Sequence, residues 1–298
     1  MVYSGQMPWK EVAWNEIQFL VPADWEVSSI GAHYLMLEEE SGPIFEVKWG
    51  QIRGNFSHKV QLQRINALIG KLPRKTVKEC PLPHDLKKAL GAFKSTGFSW
   101  GGESIGGLGV ILFCPECRKA TLIQFFQRNS VVSEDIYRSI LTSFQDHRQD
   151  AQVVWSVFDI RAKIPKNLRL VRHCLEPGRF ELAFESNGQK ITLYRWGPAS
   201  VLLQDQDLLE FARTVAGFYQ DKPHSIIESG SKVVEWETFP PISGWQRLLS
   251  RILAKHPFQW VRLWHLVEKN RILAIRATGK KPLDSHLLER IFTDYESL

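Results

Sequence analysis

The sequence predicts an α+β protein: two tandem copies of a mostly antiparallel sheet, each packed with helices, in a pseudo-two-fold duplication. Three observations predict it. The stretch Ile44-Phe45-Glu46-Val47-Lys48-Trp49-Gly50 is echoed 147 positions later by Ile191-Thr192-Leu193-Tyr194-Arg195-Trp196-Gly197. Both alternate apolar with polar residues, the period of a half-buried strand. Each follows a second apolar-rich run, HYLMLEEESG or GRFELAFESNG, across acidic and turn residues, as in a hairpin. A chain of 298 residues also has room for about two domains of ordinary size.

The elements repeat in order. The first unit, residues 1–149, opens with Trp14-Asn15-Glu16-Ile17-Gln18-Phe19-Leu20-Val21-Pro22-Ala23-Asp24-Trp25, a strand entering a proline turn closed by an aromatic residue. The second, residues 150–298, opens with Trp155 to Leu168 and turns at Pro165 with the same spacing to the next apolar residue. The hairpin strands come next, then a helix in each unit. Leu62, Ile65, Leu68 and Ile69 form one stripe over Val60–Leu72, and Leu208, Phe211, Val215 and Phe218 form another over Asp207–Phe218. Asp205 or Asp207 is the expected cap of the latter. Strands Val110–Phe113 and Ala120–Gln127 close the first unit, followed by a helix capped by Ser133. Strands Trp260–Val267 and Arg271–Ala277 close the second, followed by a helix capped by Asp284. Aligning Ser133 with Asp284 brings Phe144 onto Tyr295. The boundary falls in QDHRQD, near Asp146–Asp150. Short turns and few crossover helices call for antiparallel sheets.

This order resembles the Mog1/PsbP-like superfamily. It has the opening strand with a Pro-x-x-aromatic turn, the hairpin, the helix, the strand meander, and the closing helix with Ile140-Leu141-Thr142-Ser143-Phe144. The second unit departs from the pattern, with Leu168 for the aromatic and Thr293-Asp294-Tyr295 at its end. The resemblance implies a non-catalytic binding or assembly factor, and it transfers no site residues.

At 44% hydrophobic and 23% charged, the composition is that of an ordinary globular protein. The N-terminus lacks the basic start and apolar core of a signal peptide. No apolar run approaches the roughly 18 residues of a membrane span. Four cysteines are too few for a disulfide framework in so long a chain, so a reduced, cytoplasmic protein is expected. The net charge of +6 is concentrated: Trp245–Lys281 holds nine basic residues and one acidic.

The sharpest chemical signal is Cys114-Pro115-Glu116-Cys117-Arg118. Two thiolates at this spacing can hold one edge of a Zn²⁺ ion, and Cys80 and His84 could complete a Cys₃His set. Against it, zinc knuckles place glycine where Arg118 stands, and the matching turn Glu268-Lys269-Asn270 has no ligand. A redox pair, or plain thiols at a hairpin tip, are the other readings. The second signal is the amphipathic stretch Ser243–His256, with Arg247, Arg251 and Lys255 on one face, continued by Trp260, Arg262, Trp264, His265, Arg271 and Arg276. A solvated face explains it most simply. An acidic protein, nucleic acid or an anionic membrane surface could also take it, with Arg262 as a fourth contact. The third is the glycine-rich run Gly101–Gly109, which is not a phosphate loop and reads as a flexible loop or lid. No catalytic constellation is found.

The expected function is therefore a non-enzymatic binding or assembly module with a protein partner, met through the inter-unit face or the basic C-terminal region. The alternative is a zinc-containing protein that binds nucleic acid or another anionic ligand. No cofactor is expected beyond a structural Zn²⁺.

Overall fold

The computed structural model describes residues 8–69, 76–101, 106–127, 132–146, 150–214, 224–228, 231–238 and 258–298. The chain forms two compact units: Met1–Asp150 with Val154–Phe158, and Ala151–Val153 with Asp159–Leu298. Both are mostly antiparallel sheet with helices on it, an α+β architecture.

The first unit begins with a hairpin where the sequence pattern suggests one strand, β1 (Trp9–Trp14) and β2 (Ile17–Pro22). Its two-residue turn places Asn15 and Glu16 at φ 46° and 76°, the twist that suits a tight hairpin. Ala13 of β1 pairs with Ser156, and Trp14 meets Trp155 edge to face at 5.0 Å. Then come β3 (Glu26–Gly31), β4 (Tyr34–Glu39), β5 (Gly42–Gln51), α1 (His58–Ile69), β6 (Thr76–Cys80), α2 (His84–Ala89), β7 (Lys94–Gly101), β8 (Gly106–Phe113), β9 (Lys119–Gln127) and α3 (Glu134–Ser143). The main sheet is ordered β3-β4-β5-β9-β8-β7-β6. One face carries Ile111 and Leu122 beneath Ile65 and Leu62 of α1. On α3, Ile140 and Leu141 are buried, and its cap Ser133 accepts from Ile136 N–H.

The glycine run is a strand where it is described, not a lid. A Cβ at Gly109 would meet the Phe98 ring at 2.2 Å, and one at Gly107 would meet Trp100 at 2.8 Å. These glycines let two large rings lie on the backbone of β8.

The second unit has β11 (Ile160–Pro165), β12 (Arg169–Glu176), β13 (Arg179–Ser186), β14 (Gln189–Trp196), α4 (Ala199–Leu202), α5 (Leu208–Thr214), β15 (His224–Glu228), β16 (Ser231–Thr238), β17 (Phe258–Leu266), β18 (Arg271–Gly279), α6 (Ser285–Asp294) and β19 (Glu296–Ser297), preceded by β10 (Gln152–Val157). Its main sheet is ordered β12-β13-β14-β18-β17-β16-β15. Leu208 and Phe211 of α5 pack on Trp196, Val234 and Ile272 of that sheet. Asp207 caps α5 by accepting from Glu210 N–H, and Asp284 caps α6 by accepting from Leu287 N–H.

The two seven-stranded sheets have corresponding orders and share smaller details. A bulge leaves Ser28 of β3 unpaired between Val27 and Ser29, and Val171 of β12 takes the same place between Leu170 and Arg172. Glu16, in the opening turn of one unit, meets Lys119 Nζ at 2.8 Å. Asp159, in the opening turn of the other, meets Arg271 Nε at 2.7 Å.

One register differs. Opposite β4, Leu37 pairs with Phe45 and Glu38 with Pro43, so Ile44 is an extra residue in β5. The β13–β14 ladder has no such break. Beyond Ile44 the sequence echo is therefore out by one residue. Gly50 pairs with Ala120 and Gln51 with Lys119, whereas Trp196 pairs with Ile272, the residue after Arg271. Gly50, not Trp49, stands where Trp196 stands. A slip of one residue moves a side chain to the opposite face.

Candidate functional site

That register change opens a groove in the first unit. In the second unit, Trp196 lies under α5, in edge contact with Phe211 at 5.4 Å and stacked on Tyr194 at 5.2 Å. In the first, the same two strand positions hold Gly50 and Lys48. A Cβ built on Gly50 meets nothing within 4 Å. The result is an open groove of about 340 Å³ beside α1, lined by Lys48, Gly50, Arg64, Ile65, Ile111 and Leu122. Its floor is aliphatic and its rim cationic. Lys48 Nζ lies 2.8 Å from the buried Glu46 carboxylate and 5.2 Å from the Tyr34 ring centroid. Arg64 is exposed. The groove is at the small end of pockets that take ligands, roughly 300–1,000 Å³. One usable signal of it stands in the sequence, glycine at the end of an otherwise bulky strand, and the bulge hides its meaning.

The second cluster adjoins the groove. The β8–β9 turn puts Arg118 at φ 58° and closes with Arg118 N–H on Cys114 O at 2.9 Å and Cys114 N–H on Lys119 O at 3.0 Å. The residue after the second cysteine thus adopts the left-handed conformation that favours glycine. Asn270, in the matching turn, has φ 53°, so the hairpin closes this way without cysteines as well. Gln51 and Ile52 from the groove wall tie down the turn, with Gln51 Nε2 on Cys117 O at 2.8 Å and Ile52 N–H on Arg118 O at 2.9 Å.

Facing the two thiols is Asp146, a residue that the sequence marks only as part of the unit boundary. An isolated bridge between Gln18 and Gln145 delivers it. The Cys117 thiol donates to Asp146 Oδ2 at 3.1 Å. The ligand atoms of Cys114, Cys117 and Asp146 all lie within 4.8 Å of one another, and Cys114 and Asp146 are each 3% exposed. Lys119 Nζ donates to Asp146 O at 2.9 Å and to Glu16 at 2.8 Å. Burial first, then the hydrogen bond to Asp146, pushes the Cys117 thiol up to about 12.

Cys80 and His84 do not join this cluster. Cys80 pairs with Gly97, which pairs with Val110. It therefore sits two strands across and four residues back from Cys114, an offset of about 16 Å between Cα positions. His84 is exposed at the start of α2. The expected Cys₃His set does not come together, because the edge strand β6 carries Cys80 away from the β8–β9 turn.

Of the expected anionic-partner contacts, Arg247, Arg251 and Lys255 lie outside the described residues. Arg262 is committed elsewhere. Its Nε donates to Glu235 at 2.6 Å and its two terminal nitrogens to Glu289 at 2.8 and 2.7 Å, while its guanidinium covers Phe292. Trp260 and Trp264 are each 5% exposed, so they are core residues and not a stacking platform for bases. No helix among the described residues is long and apolar enough to cross a membrane.

No protein-family model matches the sequence, and no curated protein matches it. Solved structures do. A point mutant of the protein Mog1 is 9% identical and matches 48% of this chain and 98% of its own, at a TM-score of 0.35. The apo immunity protein TplEi of the type VI secretion system of Pseudomonas aeruginosa is 11% identical over 97% of both chains, at 0.34. A protein from Bacteroides thetaiotaomicron VPI-5482 is 9% identical over 53% of both, at 0.31. The Mog1/PsbP-like resemblance read from the apolar pattern thus meets a solved Mog1 structure among the matches. The functional reading rests on the site and not on these distant likenesses.

Proposed function

We propose that this protein is a non-enzymatic binding module, built by tandem duplication of one α+β unit, whose first unit takes a segment of a partner protein in the groove at Gly50. The observation that carries this reading is the paired one: Trp196 fills its position in the second unit, whereas Gly50 leaves the corresponding position open. An occupant that restores the filled arrangement brings its own aromatic ring. The floor of Ile65, Ile111 and Leu122 suits that ring, and Arg64 at the rim suits a neighbouring carboxylate. Corresponding strand orders, the paired bulges at Ser28 and Val171, and the paired ion pairs Glu16–Lys119 and Asp159–Arg271 support the duplication. A reducing, cytoplasmic setting suits four cysteines of which none is in a disulfide among the described residues.

The test is titration of the full chain with the blocked peptide acetyl-Glu-Trp-Glu-amide, followed by backbone amide shifts. Perturbations at Gly50, Ala120, Leu122 and Ile65, absent in Gly50→Trp, are expected. Perturbations elsewhere, or unchanged in Gly50→Trp, would reject the groove as the site.

A further inference from the structure

We infer that Cys114, Cys117 and Asp146 form a Zn²⁺ site of the first unit, with a water molecule as fourth ligand. Three observations carry it, none of them taken from the groove. The ligand atoms lie within 4.8 Å of one another. In a tetrahedral site with Zn–S bonds of about 2.3 Å, two sulfurs stand about 3.8 Å apart, so closing on an ion asks for side-chain adjustments of the order of 1 Å. The site is built and not incidental: Cys114 and Asp146 are 3% exposed, and Cys117 is half-buried at the tip of the turn. A carboxylate beside two thiols inside a protein is a poor apolar core, and both thiolate sulfur and carboxylate oxygen are ligand types that Zn²⁺ accepts.

Two thiolates and one carboxylate around Zn²⁺ leave a net charge of −1. The buried Lys119 ammonium lies beside it, 2.9 Å from the backbone carbonyl of Asp146, and is itself paired with Glu16 at 2.8 Å. Binding is balanced by releasing the thiol protons to solvent: the Cys117 S–H that now points at Asp146 gives up its proton as the S–Zn bond forms, and Asp146 exchanges an S–H contact for the metal. No oxidant or reductant is involved. The metal would join the β8–β9 turn to the segment after α3, two parts of the chain 29 residues apart. Because Gln51 and Ile52 hang on the same turn, it would also stiffen one wall of the groove.

This set differs from Cys₃His in ways an experiment can read. The full chain, purified reduced and without chelator, should carry about one zinc per molecule by mass spectrometry of the metal. Exchange with Co²⁺ should give a tetrahedral visible spectrum and a charge-transfer band of the intensity of two thiolates. Cys117→Ser and the isosteric Asp146→Asn should each weaken Zn²⁺ binding about 10-fold or more, measured against a chromophoric chelator, with an unchanged far-ultraviolet dichroism spectrum. Cys80→Ser and His84→Ala should bind as the parent does. Failure of the reduced parent to bind Zn²⁺ or Co²⁺ at one equivalent would overturn the site. So would a cobalt band of three thiolates, or loss of metal in Cys80→Ser or His84→Ala equal to that in Cys117→Ser. The parent's cobalt spectrum decides the thiolate count even where a variant fails to fold.

Discussion

Gly50 and Arg262 show how far a single side chain can be read in isolation. Nothing lies within 4 Å of a Cβ on Gly50 and the groove beside it holds about 340 Å³, so Gly50→Trp should place its ring in the groove and shift stability by less than about 1 kcal/mol, measured by urea unfolding. A loss of several kcal/mol would mean that the space is needed by the fold itself. Arg262 looks in the sequence like a surface cation next to two tryptophans. In the fold it bridges Glu235 and Glu289, with 13% of its side chain exposed. Arg262→Ala should therefore cost about 2 kcal/mol of stability, from charge-assisted bonds lost and a half-buried Glu235 left with only the Trp260 N–H, at 3.0 Å, as its hydrogen-bond donor among the described residues. A surface role predicts almost no cost. Asp146 is not legible as a ligand at all, since its relation to Cys117 spans 29 residues and is made by tertiary structure. The Cys-x-x-Cys spacing is legible because a hairpin turn is local.

At the scale of the element, periodicity and capping are the reliable signals. Ser133 and Asp284 both accept from the backbone N–H three residues on. Each substitution by Ala should lower stability by about 1 kcal/mol, read as a drop in unfolding midpoint. Equal losses are expected because the two caps make the same bond, and a negligible loss at either would deny that it holds its helix. The glycine run misleads because glycine serves both loops and tightly covered strands. Gly109→Ala would drive a methyl into the buried Phe98 ring and should cost at least about 1–3 kcal/mol. A tolerated alanine would restore the loop reading. The β1–β2 hairpin escapes the sequence pattern because the turn Asn15-Glu16 lacks the glycine that usually marks one. The strand echo is recognisable but misaligned, because a bulge at Ile44 adds one residue that composition does not reveal.

At the scale of the whole molecule, α+β class and antiparallel sheets follow from alternating runs joined by short turns. The placement of Val154–Phe158 with the first unit does not, because strand pairing is decided by the fold. Residues Val154–Phe158 belong with the first unit, where Trp155 meets Trp14 and Ser156 pairs with Ala13. A fragment ending at residue 158 should thus unfold at higher urea than one ending at 149, which leaves Trp14 uncovered. Equal midpoints would mean that Val154–Phe158 adds nothing to the first unit. The central claim is that one unit keeps its aromatic plug and the other accepts one from a partner. It is tested most directly by amide-shift titration of the parent and of Gly50→Trp with acetyl-Glu-Trp-Glu-amide. The account predicts saturable shifts confined to Gly50, Ala120, Leu122 and Ile65 that vanish when Trp occupies position 50. Identical titrations of the two proteins would contradict it.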